Sequence, residues 1–364
     1  MDDSDIKYMR LALKLAEKAN ERTYPNPMVG AVLVKNGEII GRGYHKKAGG
    51  DHAEIAAIKD AQVSCKGATM YVTLEPCDHY GRTPPCTKAI IENGITSVKI
   101  AMKDPNPINR GKGIRKLRKA GISVEEGICR AEAERISRKY IKYITLGLPY
   151  ITVKLAQSID GKIAARDGSS EWISSRVSRE YVRKIRSGFN AIMVGANTAV
   201  NDDPFLLCAG SGKNKASRVV VDSSLRLTYG SNLMKTAGEA PLIIGVTEKA
   251  DKAKIRRFKK SRGVVIIQKR SSKNRVPLKP FLRRLARMGI VNMLVEGGGE
   301  LAGSLIDEKL ADEVLFFIAP KILGGPYSSI KGNGVQEISK ALRIRDMKIK
   351  MSGGDLMVSG VLEK

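Results

Sequence analysis

The strongest chemical signal in the 364-residue sequence is one histidine and two cysteines with the spacing of metal ligands. His52 begins the tripeptide HAE, Cys77 follows a proline, and Cys86 follows two prolines. One imidazole and two thiolates supply three ligands to a tetrahedral zinc ion and leave the fourth position for water, which is the catalytic arrangement. We therefore expect Zn2+ here, with its water acidic enough to be a nucleophile at neutral pH.

Glu54, two residues after His52, is predicted to carry protons rather than to bind the metal. Its carboxylate could take a proton from the water and pass it to a ring nitrogen and the departing amine, as in zinc deaminases. Taken singly, His52 could be an ordinary helix-start residue and the two cysteines small buried groups. Together these residues predict hydrolytic deamination. The other cysteines are predicted to be packing residues: Cys65, Cys129 and Cys208.

The elements around this motif predict an α/β domain. Apolar residues at helical spacing fill 6–19, with Ser4 or Asp5 as the N-cap. Asn36 and Gly37 lie between two β-rich runs and predict a hairpin. Helical and β-rich segments then alternate, so His52 and Cys86 each open a helix, and helices should pack on a mainly parallel sheet.

A second domain is predicted after a short linker. Glycine and proline punctuate residues 145–151, so we expect the domains to be 1–147 and 148–364. The second domain alternates β-rich runs with helices and ends in a hairpin over 343–364 that would add antiparallel strands to a sheet edge. It lacks GxGxxG after its first strand, which argues against a Rossmann domain.

One glycine-rich segment of the second domain could bind phosphate. The run VEGGGELAGSL (295–305) places three glycines between a strand and a helix, where backbone N–H groups can approach an anion. The ordinary alternative is a tight turn. Lys154, on the first strand of this domain, could polarise a substrate oxygen or could be a charge at a strand edge.

Composition narrows the class of protein. No apolar run is long enough to cross a bilayer, and the acidic start lacks the basic region of a secretory signal, so we expect a cytoplasmic protein without a membrane partner. Five cysteines, an odd number, fit a reducing compartment. The net charge of +27 favours phosphorylated ligands, dinucleotides or nucleic acid, although dense basic runs such as 255–262 are usually solvated faces.

Several motifs make the resemblance to one family specific. The segment TLEPCDHYGRTPPC closely resembles the zinc motif of the bifunctional deaminase/reductase family of bacterial riboflavin biosynthesis, and NPMVGAVLV, GYH and KDPNP are similar to its other segments. Nucleoside and tRNA deaminases typically have a shorter PCxxC motif. KLAQSIDGKIA, EWISS and GANTAVNDDP resemble the reductase half, so the likeness covers nearly the whole chain.

This resemblance implies a cytidine-deaminase-like domain followed by a dihydrofolate-reductase-like domain. The first would hydrolytically deaminate 2,5-diamino-6-(5-phosphoribosylamino)pyrimidin-4-one, and the second would reduce the ribosyl group to ribityl with NADPH. In the first domain, the implied substrate residues are Asn26, His45, His79 and Arg82, with Asp104 and Asn106 at the rim. Alternatively, His79 supports the metal ligands from behind or faces solvent.

In the second domain, the resemblance implies two sets of ligand residues. The NADPH set is Ala156, Trp172, Thr198, Asp202, Ser223 and the loop Gly298, Gly299, Glu300, Leu301, Ala302, Gly303 and Ser304. The substrate set is Ser170, Arg186, Leu206 and Glu296. Trp172 offers a flat apolar surface to a cofactor ring, but a lone tryptophan is equally a natural core anchor.

The sequence departs from the family pattern at two positions. Asp78 stands where the family commonly has a small residue, and its carboxylate could alter the charge of the zinc pocket or point away. Ala209 stands where a substrate-binding arginine is usual, which would weaken substrate affinity unless a cation such as Arg186 or Lys213 replaces it.

Two other classes of protein share some of these features. A nucleic-acid or nucleoside deaminase with a non-reductase C-terminal domain would explain the charge but predicts the shorter cysteine spacing. A nucleic-acid-binding protein with structural zinc needs a fourth protein ligand and has no use for Glu54. We expect neither nucleic acid nor membrane as partner, and we expect a homo-oligomer.

Overall fold

The computed structural model describes residues 2–20, 23–80, 84–209, 216–271 and 274–363. The chain divides into two compact units, Met1–Gly147 and Leu148–Lys364, called here the N-terminal and C-terminal domains. Among the described residues, no helix combines the length and the apolar character that a membrane span requires.

The described part of the N-terminal domain forms a five-stranded sheet in the order β2-β1-β3-β4-β5. Its strands are β1 (Gly30–Lys35), β2 (Glu38–Tyr44), β3 (Thr69–Val72), β4 (Ser97–Ile100) and β5 (Ser123–Glu126). Its helices are α1 (Asp3–Glu17), α2 (Ala53–Asp60), α3 (Cys86–Glu92), α4 (Lys112–Lys119) and α5 (Arg130–Leu146).

The sheet is less parallel than the sequence predicted. Asn36 and Gly37 both have positive φ and form the predicted two-residue turn, so β1 and β2 pair antiparallel. β1 also runs antiparallel to β3, and only β3, β4 and β5 are mutually parallel. Helix α1 begins earlier than expected. Its N-cap is Asp2, which accepts a hydrogen bond from the Ser4 amide, rather than Ser4 or Asp5.

Helix α2 lies unusually close to β2. Added β-carbons at Gly41 and Gly43 would lie 2.3 Å from the carbonyl oxygens of Ala57 and Ala53, respectively. These glycines let the backbones of the strand and the helix touch. Because α2 begins immediately after His52, this contact sets the position of the predicted metal ligand.

The C-terminal domain contains a nine-stranded sheet in the order β10-β9-β8-β7-β11-β6-β12-β14-β13. Its strands are β6 (Tyr150–Ser158), β7 (Ala191–Gly195), β8 (Ser217–Val221), β9 (Leu242–Val246), β10 (Val264–Gln268), β11 (Asn292–Glu296), β12 (Glu313–Ala319), β13 (Ile344–Ser352) and β14 (Asp355–Leu362). Its helices are α6 (Arg176–Ile185), α7 (Ala196–Asn201), α8 (Asn232–Lys235), α9 (Lys252–Lys259), α10 (Leu278–Arg287) and α11 (Gly299–Asp307), with 3-10 turns at Arg186–Gly188 and Ile338–Lys340.

The described strands from β6 to β12 pair in parallel, while β14 and β13 add antiparallel at one edge, as the sequence predicted.

The dense basic run near 255–262 includes the solvent face of α9, whose Ile255 and Phe258 point inward. The usual interpretation of such runs is therefore correct here. The three packing cysteines also behave as predicted, since Cys65 is buried and Cys129 and Cys208 pack against the cores.

We expect Gly43→Ala to destabilise the N-terminal domain. The new methyl group would collide with backbone atoms of Ala53 and Ala57, which cannot rotate away. Overpacking of this kind costs about 1–3 kcal/mol. Thermal unfolding should show a lower midpoint for the variant. Gly238→Ala is the matched control, because no atom lies within 4 Å of its added β-carbon; equal destabilisation by both substitutions would refute the packing argument.

Candidate functional site

The three predicted metal ligands lie together in the N-terminal domain. The Nδ1 atom of His52 is 3.2 Å from Sγ of Cys86 and 3.5 Å from Sγ of Cys77. All three ligand atoms lie within 4.8 Å of one another. Tetrahedral zinc with Zn–S and Zn–N bonds of about 2.3 and 2.1 Å would separate such atoms by about 3.6 Å. The donor set therefore fits zinc with one coordination position left open.

Two helix starts and one strand end bring these ligands together. His52 is the N-cap residue of α2, and Cys86 is the first residue of α3. Cys77 lies in the segment that follows β3, and its carbonyl oxygen accepts a hydrogen bond from the Thr87 amide. The Cys86 amide donates to Sγ of Cys77 at 3.4 Å. The prediction that helix N-termini face the cluster is correct.

The cluster favours thiolate character at Cys77. Hydrogen bonding from Cys86, followed in weight by that from His52, lowers the pKa of Cys77 to about 4. The hydrogen bond to Cys77 and burial raise the pKa of Cys86 well above its ordinary value, so the negative charge is favoured on Cys77. Burial, reinforced by that charge, raises the pKa of Glu54 to about 7. Glu54 is therefore placed to exchange a proton near neutrality.

Two of the predicted substrate residues lie beside the cluster. The His45 ring packs edge-on against that of His52, with centroids 5.3 Å apart. Nδ1 of His45 bonds the Asp51 carbonyl at 2.8 Å, and Nε2 faces the Asn26 amide nitrogen at 3.2 Å. The network assigns a neutral ring with its proton on Nδ1, and burial lowers the pKa of His45 accordingly.

The remaining predicted substrate residues are distributed differently. Nδ1 of His79 is buried and has no hydrogen-bond partner among the described residues. Asp104 is buried in the loop after β4, where its carboxylate accepts from the Asn106 amide. Asn106 in turn accepts from the Ile108 amide. Arg82 lies outside the described residues.

Asp78, where the sequence departs from the family pattern, has a defined hydrogen-bond partner in the structure. Its carboxylate accepts a hydrogen bond from the Thr87 hydroxyl at 2.6 Å. The side chain is therefore directed to α3, next to Cys86, and links the segments of the two cysteine ligands. The contact with Thr87 turns the carboxylate toward α3, and an effect of its charge on the zinc pocket stays a prediction.

A second site is a cleft of about 1900 Å3 in the C-terminal domain. Single small-molecule pockets typically measure about 300–1,000 Å3, so the cleft has room for a dinucleotide and a second ligand. It lies at the carboxyl ends of parallel strands, the usual ligand position in α/β sheets. Predicted residues that line it are Lys154, Ala156, Ser170, Trp172, Arg186, Thr198, Asp202, Leu206, Ser223, Glu296, Gly298, Gly299, Glu300, Leu301 and Ser304.

Two of the predicted cofactor residues do not line the cleft. Ala302 is buried in the hydrophobic core of the domain. Gly303 packs against the backbone of the segment at Lys331, because an added β-carbon there would lie 2.2 Å from the Lys331 carbonyl oxygen.

The glycine-rich turn has the geometry that a phosphate site requires. Gly297 and Gly298 have positive φ, and Gly298 is the N-cap residue of the nine-residue helix α11. A β-carbon at Gly298 would lie 3.4 Å from the Thr198 hydroxyl, so the turn and α7 border the same space. The residues fit the pyrophosphate of a pyridine nucleotide, which prefers a helix N-terminus with close backbone approach.

A buried ion pair also borders the cleft. Arg186 donates two hydrogen bonds to the Glu296 carboxylate, from Nε at 2.6 Å and Nη2 at 2.9 Å, and a third to the Leu207 carbonyl. Although burial opposes it, Arg186 holds the pKa of Glu296 below its ordinary value. Burial lowers the pKa of Lys154, whose ammonium makes no hydrogen bond within the described part of the chain. It is available to a ligand oxygen.

Trp172 is not a core anchor. Its side chain is 59% exposed and borders the cleft, and the Arg179 guanidinium stacks on its ring with 4.1 Å to the centroid. A flat indole held in this way presents its other face to a planar ligand. The core-anchor interpretation is therefore wrong, and contact with a cofactor ring stays a prediction.

Three further residues belong to these sites and were not predicted from the sequence. Glu75 is buried and accepts hydrogen bonds from three backbone amides of the loop and helix after β4. Asn109 is fully buried beside the cysteine loop. Arg183, on α6, lines the cleft of the C-terminal domain. The sequence could have indicated Glu75, because a charged residue within a run of buried residues requires hydrogen-bond partners. It could also have indicated Arg183, because Arg179, Arg183 and Arg186 share one helix face.

Comparison with known proteins defines the class of each domain. Residues 2–102 match the family model described as the cytidine and deoxycytidylate deaminase zinc-binding region. Residues 149–358 match the model described as the RibD C-terminal domain. The chain is therefore a zinc-binding deaminase domain joined to a RibD-type reductase domain.

Relatives of full length identify the family. The riboflavin biosynthesis protein RibD of Aquifex aeolicus is 43% identical over 355 residues, covering 97% of each chain. That of Escherichia coli is 36% identical, covering 97% of this chain and 98% of the relative. The chain belongs to the RibD family, and a nucleic-acid deaminase with an unrelated second domain is not favoured.

Solved structures agree with this assignment. Acinetobacter baumannii RibD, form 2, has a TM-score of 0.85 at 31% identity and covers 99% of both chains. A Thermotoga maritima diaminohydroxyphosphoribosylaminopyrimidine deaminase/5-amino-6-(5-phosphoribosylamino)uracil reductase has a TM-score of 0.83 at 34% identity, with 99% coverage of both chains.

We expect the purified protein to bind one zinc ion per chain, and Cys86→Ser to abolish this binding. Replacing a thiolate ligand by a hydroxyl removes one of the three protein donors. Elemental analysis after dialysis measures the stoichiometry. Cys65→Ala is the control, because this buried cysteine lies outside the cluster. Equal zinc content in Cys86→Ser and the unaltered protein would contradict the site.

Proposed function

We propose that the chain deaminates 2,5-diamino-6-(5-phosphoribosylamino)pyrimidin-4-one and then reduces the ribosyl group of the product with NADPH. The observation that carries this proposal is the presence of two sites in one chain. One is a His-Cys-Cys cluster with a buried glutamate, and the other is a large cleft bordered by glycines. The chain that contains both aligns end to end with RibD proteins. The Thermotoga maritima relative is named for both a deaminase and a reductase activity.

In the deaminase half, Glu54 is the proton carrier. Zinc held by His52, Cys77 and Cys86 would supply a Lewis acid that makes water nucleophilic at neutral pH. Glu54 is buried beside the ligands, where its carboxylate could accept a proton from water and return it to the departing amine. Asn26, His79 and the predicted pocket residue His45 would orient the pyrimidine, and Asp104 and Asn106 would border it.

In the reductase half, NADPH would supply the hydride. The turn at Gly297 and Gly298 would receive its pyrophosphate, and the exposed face of Trp172 would contact a planar part of a ligand. Lys154 has a lowered pKa and no hydrogen-bond partner among the described residues, so its ammonium is placed to donate to the oxygen on the sugar as hydride arrives. Positioning, rather than covalent chemistry, is the protein's contribution.

Arg183 is our candidate for the phosphate anchor that Ala209 cannot supply. Arg186 was one replacement considered from the sequence, but its guanidinium is committed to Glu296 and Leu207. Lys213 lies outside the described residues. The Arg183 carbonyl accepts a hydrogen bond from the Ala209 amide at 3.1 Å, and its side chain borders the cleft without an ion pair among the described residues.

The cellular location and assembly of the enzyme are part of this proposal. We place it in the cytoplasm, where its five free cysteines, two of them zinc ligands, would stay reduced. Phosphorylated pyrimidine and NADPH would be its binding partners. The homo-oligomer expected from the sequence stays a prediction.

The first test compares the unaltered protein with Glu54→Gln by mass spectrometry of products. We expect the zinc-loaded protein to exchange the amino group for oxygen with or without NADPH, and to add two hydrogens only with NADPH. Glu54→Gln should retain zinc but slow deamination by about 100- to 10,000-fold, because general acid–base catalysis is lost.

The reductase reaction on pre-deaminated substrate serves as the internal control and should be unaffected in Glu54→Gln. Deamination at the original rate would remove Glu54 from the mechanism. No product at all from the unaltered protein would reject the substrate assignment.

We expect Arg183→Gln to raise the reductase KM by about 10- to 100-fold with little change in kcat. A charge-assisted hydrogen bond contributes roughly 1.5–3 kcal/mol, and the phosphate is remote from the reacting carbon. Steady-state kinetics with the phosphorylated substrate and with its dephosphorylated form separates this contact from general damage. Lys184→Gln is the control, because Lys184 is exposed and does not line the cleft.

The dephosphorylated substrate should show the same KM with Arg183→Gln and the unaltered protein. If the KM for the phosphorylated substrate is also the same in both proteins, Arg183 is not the phosphate anchor.

A further inference from the structure

The loop that carries Cys77 and the loop that carries Asp104 meet at one side chain. Asn109 is fully buried in the connection between β4 and α4. Its Oδ1 accepts a hydrogen bond from the Asp78 amide at 2.9 Å. Its Nδ2 donates to Oδ2 of Asp104 at 3.2 Å and to the Pro76 carbonyl at 3.5 Å. The amide thus binds the backbone on both sides of Cys77 and, at the same time, the Asp104 carboxylate.

Asp78 extends this connection to the second cysteine. Its amide is held by Asn109, and its carboxylate accepts from the Thr87 hydroxyl at 2.6 Å. Thr87 is fully buried, is the residue after Cys86, and donates its own amide to the Cys77 carbonyl. A continuous chain of hydrogen bonds therefore runs from Asp104 through Asn109 and Asp78 to the start of α3.

Neighbouring contacts make the unit rigid. Glu75 accepts hydrogen bonds from the amides of Asp104 and Gly111 at 3.1 and 2.9 Å. The Tyr140 hydroxyl donates to the other oxygen of Asp104 at 3.1 Å. Helix α4 approaches so closely that a β-carbon at Gly113 would lie 2.0 Å from the Pro76 carbonyl. Asn109 thus lies at the centre of a closely packed unit that joins the segment of Cys77 to the loop of Asp104.

We propose that Asn109 and Asp78 are a pair of positioning residues that couple the zinc ligands Cys77 and Cys86 to the substrate-side loop at Asp104. Neither touches a reacting atom. Their effect is to set the ligand geometry and the pocket rim together, so one substitution should alter both metal affinity and substrate binding. The substrate half of this statement rests on the proposed deaminase function, whereas the metal half does not.

The test uses Asn109→Asp in the full-length protein. The variant has the same shape and keeps the acceptor for the Asp78 amide, but it replaces the donor that faces Asp104 with a second carboxylate oxygen. Removal of groups that orient metal ligands typically costs about 10- to 100-fold in metal affinity. We expect zinc affinity, measured by competition with a chelator, to fall by about 10-fold or more, and the deaminase KM to rise.

Two variants give the matched comparisons. Asn93→Asp makes the same chemical change at an exposed position of the domain, where the side chain bonds only the Ala89 carbonyl among described residues, and should change neither quantity. Tyr140→Phe removes one bond to Asp104 without touching the cysteine loop, so it should raise the KM and leave zinc affinity unchanged. General destabilisation of the domain would not raise the KM in Tyr140→Phe while leaving its zinc affinity unchanged.

Unchanged zinc affinity in Asn109→Asp would overturn the proposal, whatever its activity. Lower zinc affinity with an unchanged KM would overturn the coupling to Asp104.

If Asn109→Asp does not fold, as judged by thermal unfolding with the reductase reaction as internal control, the zinc affinity of Asp78→Ala tests the proposal instead. That partly exposed side chain can be removed without a core defect, and we expect lower zinc affinity; an unchanged value would contradict the proposal. An unaltered protein that binds zinc but leaves the pyrimidine intact would instead reject the proposed function.

Discussion

The burial of thiolate charge is the constraint on which the N-terminal domain depends. Hydrogen bonds lower the pKa of Cys77 and so favour its thiolate inside the protein, where an unpaired charge is very costly. The cost is offset by donors from distant parts of the chain: the His52 imidazole, the Cys86 thiol and the Cys86 amide. The same charge, together with burial, raises the pKa of Glu54, so the group that would move protons is adjusted by the ligands that would hold the metal.

The C-terminal domain also buries charge, but here two charges of opposite sign stabilise each other. Arg186 and Glu296 are both largely buried and satisfy each other through two parallel hydrogen bonds, which makes their burial tolerable. Lys154 lies near this pair at the carboxyl end of the sheet and keeps its donors for a ligand. The cleft therefore combines fixed polar groups on strands with a glycine turn whose backbone can approach phosphate.

Both sites gather their working groups at or near the ends of strands and helices, and buried polar side chains hold the intervening loops. Glu75 and Asn109 do this in the first domain. In the second, the Arg186 bond to the Leu207 carbonyl holds the segment around Leu206 and Ala209. Loops fixed in this way can carry binding residues with the accuracy that catalysis requires.

The sequence by itself determined the local features: the hairpin at Asn36 and Gly37, the helix starts at His52 and Cys86, the closing antiparallel hairpin, and the metal-ligand chemistry. Each depends on residue type and short spacing. Only the tertiary structure decided contacts between distant segments, since loop conformation is set by packing rather than by local propensity. It brought Asn109 to Cys77 and Arg183 to Ala209, turned Asp78 to Thr87, placed Trp172 at the surface and paired β1 antiparallel with β3. It also buried Ala302 in the core and packed Gly303 on the segment at Lys331, so neither lines the cleft.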